Sequence, residues 1–162
     1  MVVAAALVYR TRSVKRVRSL IRRLRKIEFL IVRRSHDDAL YPGAWVAPGG
    51  GLSESDFVDH RETALTKALL RELKEEVGSH LVVGKPSLFS ERSLWRSDHG
   101  GIVVLTYAVP WMSGEPVLTS ETAATAWVTA REASDFDLFG STLAEIKLAD
   151  KILHTRNGFA AR

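Results

Sequence analysis

The chain of 162 residues has no cysteine, which removes a disulfide scaffold, a thiolate zinc site and a cysteine nucleophile at once. Proline is sparse at 5 residues, and no apolar run approaches the roughly 20 residues a membrane span requires. The 5 histidines are scattered, so spacing assembles neither a histidine metal site nor a Ser/His/Asp triad. What is present is ordinary: 46% hydrophobic and 26% charged residues, the composition of a globular chain and not of a disordered or fibrous one. At this length the expectation is a single domain, 1–162, with a core large enough to need no staples. Missing cysteine fits a reducing compartment, and a cytoplasmic protein is expected. The apolar start, Val2 to Tyr9, has no basic segment ahead of it and reads as a first strand, not a signal peptide. The basic stretch behind it leaves an organelle transit peptide as the alternative.

Acidic residues are missing from one stretch in particular. Between positions 10 and 26 stand Arg10, Arg12, Lys15, Arg16, Arg18, Arg22, Arg23, Arg25 and Lys26 with no carboxylate among them, while the rest of the chain is net acidic. The overall +4 therefore belongs to this segment. Val14, Val17, Ile21 and Leu24 are spaced three, four and three apart, which predicts a basic amphipathic helix over 13–25. Such a helix is open to RNA or another polyanion, to anionic lipid, or simply to solvent with its stripe docked.

Strands are expected at Val2–Tyr9, Ile27–Arg33, Leu81–Val83, Leu88–Leu94, Gly101–Val109 and Ala126–Val128, with a turn-rich stretch over 35–59 and a turn over 113–116. Helices are expected from Thr63 to Val77, stopped by Gly78, and from Leu143 to His154. Strands and helices mixed at this density imply an α/β or α+β sandwich.

The first of those helices carries the chemistry. At 100° per residue, and with Leu65 as zero, Ala68, Leu69, Glu72 and Glu76 fall within about 60° of it. Glu75 lies some 80° away, whereas Lys67, Arg71 and Lys74 collect on the opposite side. Solvated glutamates would sit opposite the apolar stripe; Glu72 and Glu76 continue it. Two like charges at 4 Å repel by about 4 kcal/mol at an effective dielectric of 20, so inward carboxylates call for a cation among them. With oxygen ligands alone, Mg2+ or Mn2+ is the natural candidate. The other reading is a surface run of Glu and Lys making i,i+4 pairs.

The string RELKEEVG at 71–78, preceded by WVAPGGG at 45–51, resembles the signature of the Nudix hydrolases. Their box runs glycine, five residues, glutamate, seven residues, then Arg-Glu-aliphatic-any-Glu-Glu-any-Gly-aliphatic. Its second half matches from Arg71 to Gly78. The likeness takes in YPGAW at 41–45, SGEP at 113–116 and ETAATAWV at 121–128 as well. It implies an α/β/α sandwich around a mixed β-sheet, with the basic amphipathic helix as an insertion near the N-terminus. The first half of the box departs from the pattern, because the segment from Gly50 to Ser79 holds seven residues too many, apparent in the stretch 53–60. Counting back from Arg71 puts the first box glutamate at Thr63, beside Glu62; counting forward from Gly50 puts it at Asp56. Glu62 is the favoured substitute. Ser79 stands where an aliphatic residue closes the box.

The resemblance implies a divalent-metal-dependent pyrophosphohydrolase acting on a nucleoside diphosphate derivative. By position, Glu72, Glu75 and Glu76 face the metal, with Glu76 foremost and the Gly49 carbonyl as a further donor, and Arg71 orients Glu72. The general base is Glu72 or a later acid, for which Glu121, six residues before Trp127, is placed. Arg34, Trp45, Gly50 and Trp95 are the candidates for substrate contact, each with an ordinary core or surface role as the alternative. Homodimers are common among such proteins. Two rival readings follow: an RNA 5′ pyrophosphohydrolase, motivated by the basic segment 10–26, and a nucleotide-sensing domain without catalysis, motivated by the displaced first glutamate.

Overall fold

A computed structural model of the protein describes residues 1–13, 25–37, 41–58, 63–98 and 100–155. Eight strands are seen among them: β1 (Val2–Ser13), β2 (Arg25–Arg34), β3 (Trp45–Val46), β4 (Gly49–Gly51), β5 (Val82–Val83), β6 (Ser87–Arg96), β7 (Gly100–Ser113) and β8 (Thr122–Val128). Helix α1 spans Ala64–Val77 and α2 spans Thr142–His154, and short 3-10 turns lie at Glu54–Phe57 and Glu132–Asp135. The strands form one mixed sheet ordered β3-β2-β1-β7-β5, with β4 on β1, β6 on β7 and β8 on β2. Only β1 and β7 run parallel; the other pairs are antiparallel.

Period-two alternation distributes the apolar side chains of β1 and β2 to both faces. Ala4, Ala6, Val8, Leu30 and Val32 pack with Leu69, Leu73 and Val77 of α1. Leu7, Ile27, Phe29 and Ile31 pack with Ile146 and Ala149 of α2 on the other side. Each buried Leu or Val of α1 is worth about 1.5–3 kcal/mol. The result is the expected α/β/α sandwich. Among the described residues no helix is long and apolar enough to cross a membrane.

Two boundaries correct the sequence reading. The predicted basic helix 13–25 loses both its ends to strands, since β1 runs on to Ser13 and β2 starts at Arg25, paired with each other; its remainder, 14–24, lies outside the described residues. The second correction concerns β7, which reaches Ser113, so the turn over 113–116 begins a strand-end later than expected.

Continuation of β1 past Tyr9 has a physical cause. Arg10 stands opposite Glu28 across the β1–β2 ladder. Both are buried, and Arg10 Nε donates to Glu28 at 2.8 Å. Arg12 and Lys26 approach the same carboxylate at 3.2 and 3.1 Å. Burial opposes the ionisation of Glu28, but the hydrogen bonds from Arg10 and Lys26 outweigh it and hold its pKa below the ordinary value. The Arg10 guanidinium also lies over the Trp127 ring at 4.1 Å. Part of the positive charge of segment 10–26 is thus taken up inside the fold.

Candidate active site

The site forms where β4 meets the C-terminal half of α1. Thr63 caps the helix, its hydroxyl accepting from the Thr66 N–H, and Gly78 ends it at φ +80°, where an L side chain is strained. Between these ends the predicted register holds for the glutamates: Glu76 is 7% exposed and Glu72 partly buried, while Glu75 is 43% exposed.

The glycine-rich strand is shaped by close approach. A Cβ on Gly49 would fall 2.2 Å from the Ala4 carbonyl oxygen, and one on Gly50 would fall 2.3 Å from the Glu72 carboxyl carbon. At 50 a side chain would have to displace the Glu72 carboxylate, whereas at 49, where the clash is with backbone, only glycine fits. This contact lets the Gly49 N–H donate to Glu76 Oε2 at 2.8 Å.

Arg71 departs from its place on the helical wheel. Instead of joining the outer cations, its side chain folds over the loop before the helix. Nε and Nη2 donate to the two oxygens of Asp56 at 3.2 and 3.1 Å. Nη1 donates to Glu72 and Glu75, both at 2.8 Å, and Nη2 also reaches the Gly51 carbonyl at 2.9 Å. Asp56, buried at 3% exposure, accepts the Ser53 N–H at 2.7 Å as well. The Arg71 hydrogen bonds drive its pKa down to about 2, against the cost of burial. Those same bonds, Asp56 first, raise the pKa of Arg71. Asp56 thereby stands where the forward count from Gly50 puts the first box acid, and Glu62 lies outside the described residues.

Glu76 has the opposite electrostatics. Burial raises its pKa to about 8, the Gly49 N–H opposes that, and the charges of Glu72 and Glu121 add to it against the pull of Arg34. Glu72 is likewise raised by burial despite Arg71. A cavity of about 280 Å3 opens beside Glu76 and is lined by Arg34, Ser35, Asp37, Ser120 and Glu121. Three sequence candidates, Arg34, Glu76 and Glu121, therefore meet in one place. Trp45 does not: it packs edge-on against Phe136 at 5.0 Å in the α2-side core. Trp95 projects from the β6–β7 hairpin, 80% exposed, and is not among the residues lining the cavity.

Among the described residues no three His, Cys, Asp or Glu side chains stand grouped as a metal cage, and Glu75 is bonded to Arg71. The donors nevertheless fit a hard divalent cation. Glu72 and Glu76 offer carboxylate oxygens whose burial outweighs the positive charge near them, and a cation would supply what is short.

The comparisons with known proteins agree with this geometry. A profile described as NUDIX domain matches residues 14–147. Nucleoside triphosphatase NudI of Escherichia fergusonii is 24% identical over 128 residues, covering 74% of this chain and 86% of that protein. The NUDIX domain of Shewanella oneidensis NrtR, solved with ADP ribose, superposes with a TM-score of 0.68 at 17% identity, over 94% of this chain and 88% of that one. A MutT NUDIX hydrolase from Burkholderia pseudomallei gives a TM-score of 0.61 at 21% identity, over 90% and 95% of the two chains.

Proposed function

The chain belongs to the NUDIX domain family, whose members hydrolyse nucleoside diphosphate derivatives, and on that premise we propose that it converts a nucleoside triphosphate to the monophosphate and pyrophosphate with Mg2+ or Mn2+. The observation that carries this reading is the carboxylate pair of partly buried Glu72 and buried Glu76, with a cavity beside Glu76 that also holds Arg34 and Glu121. The relatives named as nucleoside triphosphatases give the choice of substrate. When bound, the divalent ion neutralises phosphate oxygens and lowers the pKa of the attacking water.

Glu72 and Glu76 would hold that ion, with Glu75 and the Gly49 carbonyl as the donors carried over from the family's box. Arg71 positions Glu72 by its 2.8 Å bond and does not face the cavity. Arg34 faces phosphate oxygens across the cavity. A Glu121 carboxylate oxygen accepts the proton of the water as its oxygen bonds to phosphorus. The bridging P–O bond breaks, and pyrophosphate leaves with the electron pair. Gly50 keeps the backbone flat against Glu72.

A hydrolysis panel with Mg2+ and with Mn2+ tests this: nucleoside triphosphates, ADP-ribose, diadenosine polyphosphates and triphosphorylated RNA, with Glu76→Gln as control. Metal-dependent release of pyrophosphate from a nucleoside triphosphate, lost in the control, is the expected result. Cleavage of ADP-ribose or RNA alone would transfer the assignment to that substrate. Nucleotide binding without cleavage of any member would make the chain a sensing domain. The RNA reading has less support than the bare charge count gives it, since Arg10 and Lys26 are engaged with Glu28. A homodimer is proposed on the family likeness alone and is read by sedimentation of the same preparation.

A further inference from the structure

Residues 114–121 connect β7 to β8 as a strap across the C-terminal end of α1, and every second residue of it is tied down. Glu115 accepts from Arg10 and from Trp127 Nε1, each at 3.1 Å. The Val117 N–H donates to the Val77 carbonyl at 2.9 Å. Thr119 Oγ1 donates to the Glu76 carbonyl and accepts from the Glu121 N–H, both at 3.3 Å. The Glu121 carbonyl in turn accepts from the Ser35 N–H at 3.2 Å, beside Arg34. Helix ends leave their last carbonyls without intrahelical partners, and the strap uses two of these as its anchors.

We propose that Thr119 is a positioning residue: its one hydroxyl links the backbone of the metal-side Glu76 to the backbone of Glu121 and so fixes where the Glu121 carboxylate enters the cavity. The inference rests on the reading of Glu121 as the proton acceptor. Several features set Thr119 apart from its neighbours. It is the only strap residue bonded at the same time to the helix that carries the metal-side carboxylates and to Glu121 among the hydrogen bonds described. Neither bond belongs to a helix or sheet ladder, and Thr119 lies outside both apolar cores. A side chain kept only to stabilise the fold would be exchangeable for an isostere at little functional cost. A hydroxyl kept to set a catalytic distance would not, because a displacement of about 1 Å at a reacting group costs up to about a hundredfold in rate.

The test compares Thr119→Val, which keeps the shape and removes the hydroxyl, with Thr119→Ser, which keeps the hydroxyl. The first readout needs no metal and no substrate: exchange of the Glu121 amide, followed by NMR on the metal-free protein, speeds up severalfold in Thr119→Val and stays near wild type in Thr119→Ser. The second is turnover of the nucleoside triphosphate cleaved fastest in the panel. There kcat falls about tenfold or more in Thr119→Val, with KM and Mn2+ affinity unchanged, and Thr119→Ser restores it. In a Glu121→Gln background the Val substitution adds no further loss, as two residues acting through one group should behave. Unchanged Glu121 exchange in Thr119→Val overturns the link. Faster exchange with unchanged kcat overturns the positioning role. Full turnover in Glu121→Gln, with exchange still sensitive to Thr119, overturns the reading of Glu121 and leaves the link standing.

Discussion

Asp56 and Glu76 are two carboxylates with almost no solvent contact, 3% and 7% exposed, held beside the same glycine-rich strand. Their electrostatics diverge: Asp56 is driven down to about 2 and Glu76 up to about 8. Burial pushes both upward, but it leads only at Glu76; at Asp56 the hydrogen bonds from Arg71 outweigh it. Partners decide which way the balance falls. Asp56 receives both arms of a guanidinium and a backbone N–H, whereas Glu76 receives one N–H and faces the charges of Glu72 and Glu121. A carboxylate with its charge already answered is part of the frame. One whose charge is left open is where an external cation has the most to contribute.

The sharpest way to break this contrast is to neutralise its open member. Glu76→Gln is expected to lower metal-dependent turnover by more than about a hundredfold, beyond what loss of a supporting partner around a metal costs, while urea unfolding of the metal-free protein at pH 8 shows no loss of stability. Retained turnover would mean that Glu76 is as structural as Asp56. The paired member should respond in the opposite way. Arg71→Met strands Asp56 as a buried charge and is expected to cost about 2–3 kcal/mol in urea unfolding, less than for a fully enclosed pair because Arg71 is partly exposed.

Gly50→Ala leaves the pairing alone and asks only about geometry. The new methyl displaces the Glu72 carboxylate, a movable group, so stability should change by no more than about 1 kcal/mol while kcat falls about tenfold. Equal activity would show that the position of Glu72 is not critical.

A separate contrast lies in the pH dependence of the metal-free protein, where the two acids have opposite signs. Asp56, with its pKa lowered, contributes stability that is present above its unfolded value near 3.8 and lost as pH falls through about 2. Glu76, with its pKa raised from 4.5, binds its proton more tightly in the folded state, so stability declines as pH rises from 4.5 through about 8. Urea midpoints between pH 5 and 8 should therefore fall in the wild type and fall less in Glu76→Gln, where the raised pKa of Glu72 remains, and saturating Mg2+ should remove the fall by binding the ionised form. A flat wild-type profile without metal would show that Glu76 is already compensated.

How much was legible beforehand varied with the range of the interaction. Helix α1 emerged nearly to the residue because its period, its cap at Thr63 and its stop at Gly78 are local signals. Strand β1 read short at Tyr9 because Arg10 and Arg12 look like loop residues until Glu28 is brought opposite them from the next strand. Asp56 had a signal, the forward count from Gly50, but the seven surplus residues made the backward count equally available. Thr119 had none: nothing in a lone threonine announces that a helix end and a loop amide will meet at its hydroxyl. Trp45 and Trp95 show the reverse case, since aromatic character does not reveal whether a ring faces a cavity, a core or solvent.

The sequence by itself determined that Glu72 and Glu76 share the inward face of one helix, that glycines stand ahead of them, and that no cysteine or clustered histidine competes for the chemistry. Those are consequences of a 3.6-residue period and of composition, and they need no knowledge of what lies across the molecule. Tertiary structure decided which carboxylates are answered and which are left open. Arg71 meets Asp56 across 15 residues, Thr119 meets Glu76 across 43, and Arg10 meets Glu115 across 105. Electrostatic character depends on distance in space and on the water removed by burial, and neither quantity exists along a chain until the sheet has brought its distant segments together.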